Sequence, residues 1–254
     1  MVRMSLPHAS DPSAVFSGAV KRAPAARLGV QVVHDLVAMI VTGSVAAGQL
    51  LPPEGELAAH FGVSRTVIRE SVKRLEEKGM VTVGQGRGTE VSSSSEWNIL
   101  DKVVISTMIE NDQTLGILDE LAVVRSELES AMSAAVATNR SPADLEEIRE
   151  SLEAMRRASD NPEVFPEADK DFHSLIMSKS GNALAKAIAR TLVQRASDNQ
   201  RFHGAPGPDA YALTLQEHAL VLDAIEAGDP DKASAAMRDH ITRAWERRKL
   251  PRDA

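Results

Sequence analysis

The chain has 254 residues and a formal net charge of −7, a length that suits two domains better than one. It has no cysteine, which excludes disulfides and thiolate metal sites and gives no sign of an oxidising compartment. No apolar run approaches the ~20 residues needed to cross a bilayer, and the first 25 residues lack the apolar core of a signal peptide, so the expected location is the cytoplasm with no membrane partner.

Residues 1–26, rich in Ala, Ser and Pro, read as a disordered tail. From Leu28 to about Val41, Val33, Leu36, Val37 and Ile40 share one helical face. A glycine-containing connection over 42–51 leads to Pro52 and Pro53, which suit a helix entry. Leu57, Ala58 and Phe61 form a short apolar stripe, Gly62 allows a sharp turn, and Ser64 is placed to cap the next helix. There Ile68, Val72 and Leu75 fall at i, i+4 and i+7 and should face a core, while Arg65, Arg69 and Lys73 fall on the opposite side. Thr66 sits beside Arg65, within reach of a phosphate or a base edge. Gly79 closes this helix. Met80–Val83 and Thr89–Val91 then alternate as two strands around a tip of Gly84, Gln85, Gly86, Arg87 and Gly88, to which Arg87 adds charge.

Helix, turn, basic helix and glycine-tipped hairpin are the layout of a winged helix-turn-helix, here assigned to residues 27–91. An isolated basic helix face is as easily a solvated one, but turn, cap and wing together favour DNA. Charge agrees: residues 1–93 hold 10 Lys/Arg against 8 Asp/Glu, the remainder 19 against 28, and residues 62–88 alone hold 6 against 3. The acidic remainder is a poor nucleic-acid surface and should do something else.

Four serines, Ser92 to Ser95, open a linker over 92–101. Beyond it the pattern is helical, with segments at 97–110, 114–139, 142–159, 162–179, 182–202, 211–227 and 230–249. Ser141-Pro142 and Asn161-Pro162 are start signals; Gly181-Asn182 and Gly228-Asp229-Pro230 are breaks. The expected whole is mostly α: a winged helix-turn-helix followed by an all-α bundle over 102–254.

Asp169 and His173 are four residues apart and share a helix face. His218 lies 10 residues before Gly228 and His240 lies 12 after it. In an antiparallel pair about that turn, the imbalance is a height offset of only ~3 Å, so the two imidazoles can converge and the Asp169/His173 face can close the site. Three neutral imidazoles and one carboxylate suit Zn²⁺, with Ni²⁺ or Mn²⁺ as alternatives, and leave coordination positions open. Taken singly, each histidine is better explained as a surface residue or a hydrogen-bonded core residue than as a ligand.

The first region resembles the GntR family of bacterial regulators, whose motif runs close to LPSERELAxxxGVSRTxVREALxxLxxxGLVxxxxGxGxxV. The resemblance covers about residues 28–91 and implies DNA contacts from Arg65, Thr66, Arg69, Gln85 and Gly86. It departs at Gly55, where the family usually has an arginine, so one customary contact is missing. Residues 102–250 resemble the FCD ligand-binding domain of the FadR-type branch, through DKDFH, SGN, EHALVLDAIEAGD and ASAAMRDHI. In metal-binding members these positions are the ligands, which implies Asp169, His173, His218 and His240 here. The branch often pairs an arginine in a VRxxLE pattern with the effector carboxylate; Arg125 in VVRSELE occupies it, a surface i,i+4 pair being the alternative. SEWNILDKVVISTMIEND and LTLQEHALVLDAI further resemble repressors of galactonate and related sugar-acid operons. Thr214, beside the EH motif, is a second pocket candidate.

The expected protein is therefore a homodimeric repressor of operator DNA, released by a small carboxylate and not an enzyme. The rivals are an effector-independent DNA-binding dimer with a structural metal, a metal-dependent enzyme fused to a DNA-binding module, and an acyl-CoA sensor.

Overall fold

In a computed structural model the chain is described at residues 25–198, 202 and 209–249. All but the last two residues of the expected tail lie outside that set. The elements are α1 (Ala25–Val41), α2 (Glu54–Phe61), α3 (Arg65–Glu77), β1 (Val81–Gly84), β2 (Gly88–Val91), α4 (Lys102–Asn111), α5 (Gly116–Asn139), α6 (Pro142–Arg157), α7 (Phe165–Lys179), α8 (Ala183–Ser197), α9 (Ala210–Ala227) and α10 (Pro230–Lys249).

The first part is a winged helix-turn-helix. Gly62, left-handed at φ 65°, ends α2, and the Ser64 hydroxyl accepts from the Val67 N–H at 3.3 Å to start α3. Strands β1 and β2 pair antiparallel from Val81↔Val91 to Gly84↔Gly88. The chain before α2 adds to the outer edge of β2: Leu51 N–H donates to Thr89 O, and Val91 N–H donates to Gln49 O. Leu36, Val37 and Ile40 of α1 meet Leu57, Ile68, Leu75, Met80 and Val91 in one buried cluster. Each such side chain contributes roughly 1.5–3 kcal/mol.

Three helix starts differ from the sequence expectation by three residues or more. Helix α1 begins at Ala25 rather than Leu28. Helix α4 begins at Lys102 rather than 97, because the Asp101 carboxylate accepts from the N–H groups of Val103 and Val104, while Trp97 is extended and gives its indole N–H to Ser92 O. Helix α7 begins at Phe165 rather than 162. The Asn161 carbonyl accepts from Val164 and Phe165 and its side chain from Glu163, which closes a turn ahead of the helix. The start at Ser141-Pro142 has a full capping box with Asp144.

Helix α4 serves both parts. Val104 joins the cluster beneath the winged helix, while Ile105 and Ile109 pack with Leu118 and Leu121 of α5, Leu192 and Ala196 of α8, and Trp245 of α10. The remaining helices form a bundle around Val136, Ile148, Met155, Phe172, Ile176, Val221, Ile225 and Met237. Within it α5 buries a polar run, Ser126, Glu129, Ser130 and Ser133. Buried polar groups are costly unless bonded, and this run marks where the site lies. The α9–α10 turn sets the heights of His218 and His240. Gly228 is left-handed there (φ 68°), and a Cβ on it would lie 2.5 Å from the Arg140 guanidinium, which donates to Glu226 O. The left-handed backbone favours glycine there, and any side chain would also displace the Arg140 guanidinium.

Candidate DNA-reading face and metal centre

The sequence-predicted DNA contacts fall on one module. Arg65, Thr66 and Arg69 are exposed on α3, and Gln85, Gly86 and Arg87 are exposed at the tip of the hairpin, where Arg87 N–H donates to Gly84 O. Two details were not legible in the sequence. Glu54 at the start of α2 accepts from Arg69 Nε at 3.1 Å and Nη2 at 2.8 Å, which raises the Arg69 pKa and lowers that of Glu54. Arg65 reaches back over Gly55: a Cβ at 55 would lie 3.1 Å from its Nη2. A side chain at 55 would therefore crowd the Arg65 guanidinium.

The second site sits inside the bundle. Asp169 and His173 come from α7, His218 from α9 and His240 from α10, and one ligand atom from each lies within 4.8 Å of the others. His173 Nε2 is 3.1 Å from His218 Nε2 and 3.2 Å from His240 Nε2; Asp169 Oδ1 is 4.0 Å from His173 Nε2 and 3.7 Å from His218 Nε2. All three imidazoles are buried.

The outer nitrogens explain the orientation. His173 Nδ1 lies 2.5 Å from Glu129 Oε2, and His240 Nδ1 lies 2.9 Å from Glu217 Oε2. Burial would raise the Glu129 carboxyl, but Arg125 and His173 more than offset it and hold it well below the usual carboxylate range. Glu217 is likewise opposed by burial, yet Arg247 and His240 bring it down to about 2. Two ionised carboxylates therefore face the Nδ1 atoms, which assigns the protons there and turns Nε2 inward. Burial, joined by the neighbouring imidazoles, pushes His218 well below its ordinary value; burial also lowers His240 against the pull of Glu217. Neutral imidazoles with inward lone pairs are ligands. Asp169 Oδ1 and His218 Nδ1 are buried without a hydrogen-bond partner among the described residues. The Nε2 lone pairs of His173 and His240, 3.2 Å apart, and an orphaned carboxylate oxygen repel one another unless a cation lies between them, so this donor set fits a divalent metal.

Beside the centre is a cavity of about 270 Å³, bordered by Asp169, Thr214, Tyr211 and three arginines, Arg125, Arg247 and Arg248. Arg125 lines it while donating Nε to Glu129 at 2.6 Å, so both readings of that residue meet in one buried pair. Arg247 donates Nη1 and Nη2 to Glu217 at 2.7 Å each and approaches Thr214 Oγ1 at 3.4 Å. The sequence reading missed the roles of Glu129, Arg247 and Arg248. Glu129 falls four residues after Arg125 in VVRSELE, and Arg247 falls seven after His240; these helical spacings, which share a face, were the signals available.

A winged helix with an exposed basic face, joined to a helical bundle that holds a His₃Asp cluster against a cationic cavity, defines a transcriptional regulator with an appended ligand-binding type of domain. The family model described as bacterial regulatory proteins, gntR family, matches residues 28–91, and the FCD domain model matches residues 120–243. The galactonate operon transcriptional repressor of Escherichia coli K12 is 31% identical over 86% of this chain and 96% of its own. The repressor NanR of Citrobacter rodentium is 28% identical over 92% of this chain and 90% of its own. Lar of Listeria monocytogenes, a solved structure, shares the fold at TM-score 0.53 with 18% identity, covering 87% of this chain and 95% of that one. The chain belongs to the GntR family of regulators, in the branch that carries an FCD domain; its relatives are regulators and it is not an enzyme. Among the described residues no helix is long and apolar enough to cross a membrane.

Proposed function

We propose that the chain is a repressor that leaves its operator when a small carboxylate, a sugar acid by class, binds beside a divalent metal held by Asp169, His173, His218 and His240. Residues 27–91 read DNA, 92–101 link, and 102–254 sense and dimerise. Zn²⁺ is the first candidate for the metal, with Ni²⁺ or Mn²⁺ as alternatives. The observation that carries the reading is the convergence of three Nε2 atoms and the orphaned Asp169 Oδ1 at the wall of an arginine-lined cavity. The likeness to the galactonate operon repressor supports the sugar-acid class.

The metal supplies Lewis-acid binding of a carboxylate or α-hydroxyl oxygen. The protein's own groups orient the acid: Arg125 and Thr214 present donors to its remaining oxygens. A homodimer presents two copies of α3 to the half-sites of a two-fold operator, phosphate contacts position it, and Arg65 and Arg69 read base edges. Release requires that the acid bind the DNA-incompetent arrangement more tightly than the competent one.

The test is thermal unfolding of metal-loaded and chelator-stripped protein against sugar acids and hydroxy acids. A ligand at ~100 times its Kd adds ~2.7 kcal/mol to the native state. The expected result is one class of acid that raises the midpoint with metal present and not without it. If no acid shifts the midpoint and chelation changes nothing, the sensor reading fails and a DNA-binding dimer remains.

A further inference from the structure

The three arginines of the cavity are not equivalent. Arg125 is neutralised by Glu129 and Arg247 by Glu217. Lys170, also at the cavity, is tied to Glu167 at 2.6 Å. Arg248 has no carboxylate partner among the described residues; its contact is the face of Phe202, with Cζ 5.3 Å from the ring centroid. Desolvation pulls its pKa down, against the attraction of Asp169, so the charge is held in a place that disfavours it. A guanidinium with no counter-ion, kept partly out of water at the wall of a cavity, is expensive to maintain unless a ligand completes it.

We propose that the cavity takes a dicarboxylate, whose second carboxylate pairs with Arg248, in preference to a monocarboxylate of the same skeleton. This rests on the effector-site reading above and narrows it. Charge supports it. With a divalent ion on three neutral imidazoles and Asp169, one positive charge is unmatched at the centre and a second at Arg248. A monoanion balances one of them, and a dianion balances both. Size supports it too. About 270 Å³ lies just below the ~300–1,000 Å³ typical of small-molecule sites, which suits a small hydroxy acid. The geometry of the group is apt, since a guanidinium fork matches a carboxylate in two parallel hydrogen bonds.

Matched pairs test the proposal on the metal-loaded full chain: gluconate with glucarate, galactonate with galactarate, and 2-hydroxybutyrate with malate, each read by calorimetric titration and by shift of the unfolding midpoint. At least one dicarboxylate should bind roughly tenfold or more tightly than its monocarboxylate partner. Arg248→Gln should reduce that preference to within about threefold, and Arg248→Lys, which keeps charge without the fork, should fall between. Circular dichroism of both variants checks that they fold, and the lysine variant carries the test if the glutamine one does not. If acids bind but no dicarboxylate exceeds its monocarboxylate partner, or if the preference survives in the variants, this inference is overturned while the effector site stays in place. Failure of every acid to bind overturns both.

Discussion

Glu129 is a single buried side chain with two tasks. One carboxylate oxygen holds His173 Nδ1 at 2.5 Å, and the other holds Arg125 Nε at 2.6 Å. It therefore turns the Nε2 of His173 inward and fixes a cavity arginine at the same time. Outer partners of this kind are worth 10–100-fold in metal affinity. Glu129→Gln keeps the volume but cannot serve both donors as an anion, so metal affinity should fall by roughly that factor in a competition titration against a chelating dye. Unchanged affinity would mean that the helix backbone alone orients His173. This role was hidden in the sequence for a physical reason. A glutamate on a long helix is ordinarily solvated, and only the rotation of α5 that buries Ser126, Ser130 and Ser133 with it brings the carboxylate inside. The histidines, by contrast, were legible. The α9–α10 turn is short, so counting residues from Gly228 was enough to bring His218 and His240 to a ring separation of 4.1 Å.

The helix-turn-helix shows a similar division between what spacing reveals and what a fold adds. The buried face of α3 followed from the i, i+4, i+7 pattern of Ile68, Val72 and Leu75. The partner of its exposed face did not, because Glu54 is 15 residues away on α2. Arg69 is 71% exposed, so its pair with Glu54 contributes little to stability; its use is positional. Glu54 engages Nε and one side of Nη2, leaving the Nη1–Nη2 edge free for the two acceptors of a guanine. Arg69→Ala should weaken operator binding by ~1–3 kcal/mol in a titration at fixed salt. Glu54→Ala should act differently. Removing a negative charge beside DNA favours non-specific binding, while an unanchored Arg69 discriminates less well. The ratio of operator to random-sequence affinity should therefore fall even if random-sequence affinity rises. A ratio equal to that of the unmodified protein would remove Glu54 from the readout.

Across the molecule, the two sites are joined through α4. At its first turn Asp101 caps the helix and takes Lys78 Nζ, from the end of α3, at 2.5 Å. The Lys78 carbonyl in turn accepts from Asn98 N–H at 2.8 Å. Along its length Ile105 and Ile109 lie against Leu192 and Ala196 of α8, whose neighbours Val193 and Ser197 line the cavity. Lys102 adds a pair with Asp198 at 3.6 Å. A shift of α8 on filling the cavity thus bears on the helix that holds the end of the recognition helix. Contiguity of this kind is not coupling until it is measured, and Asp101 is the place to measure it. Asp101→Asn keeps a side-chain acceptor for the cap and discharges the pair with Lys78, which is only 16% exposed. Coupling between sites is typically 1–3 kcal/mol, a factor of about 5–150 in operator affinity with and without effector. The variant should bind the operator and the acid nearly as before but show a clearly smaller factor. Linkage demands that the same factor appear when acid affinity is measured with and without DNA. A factor unchanged in both directions would show that release does not pass through the Asp101–Lys78 pair at the α3–α4 junction.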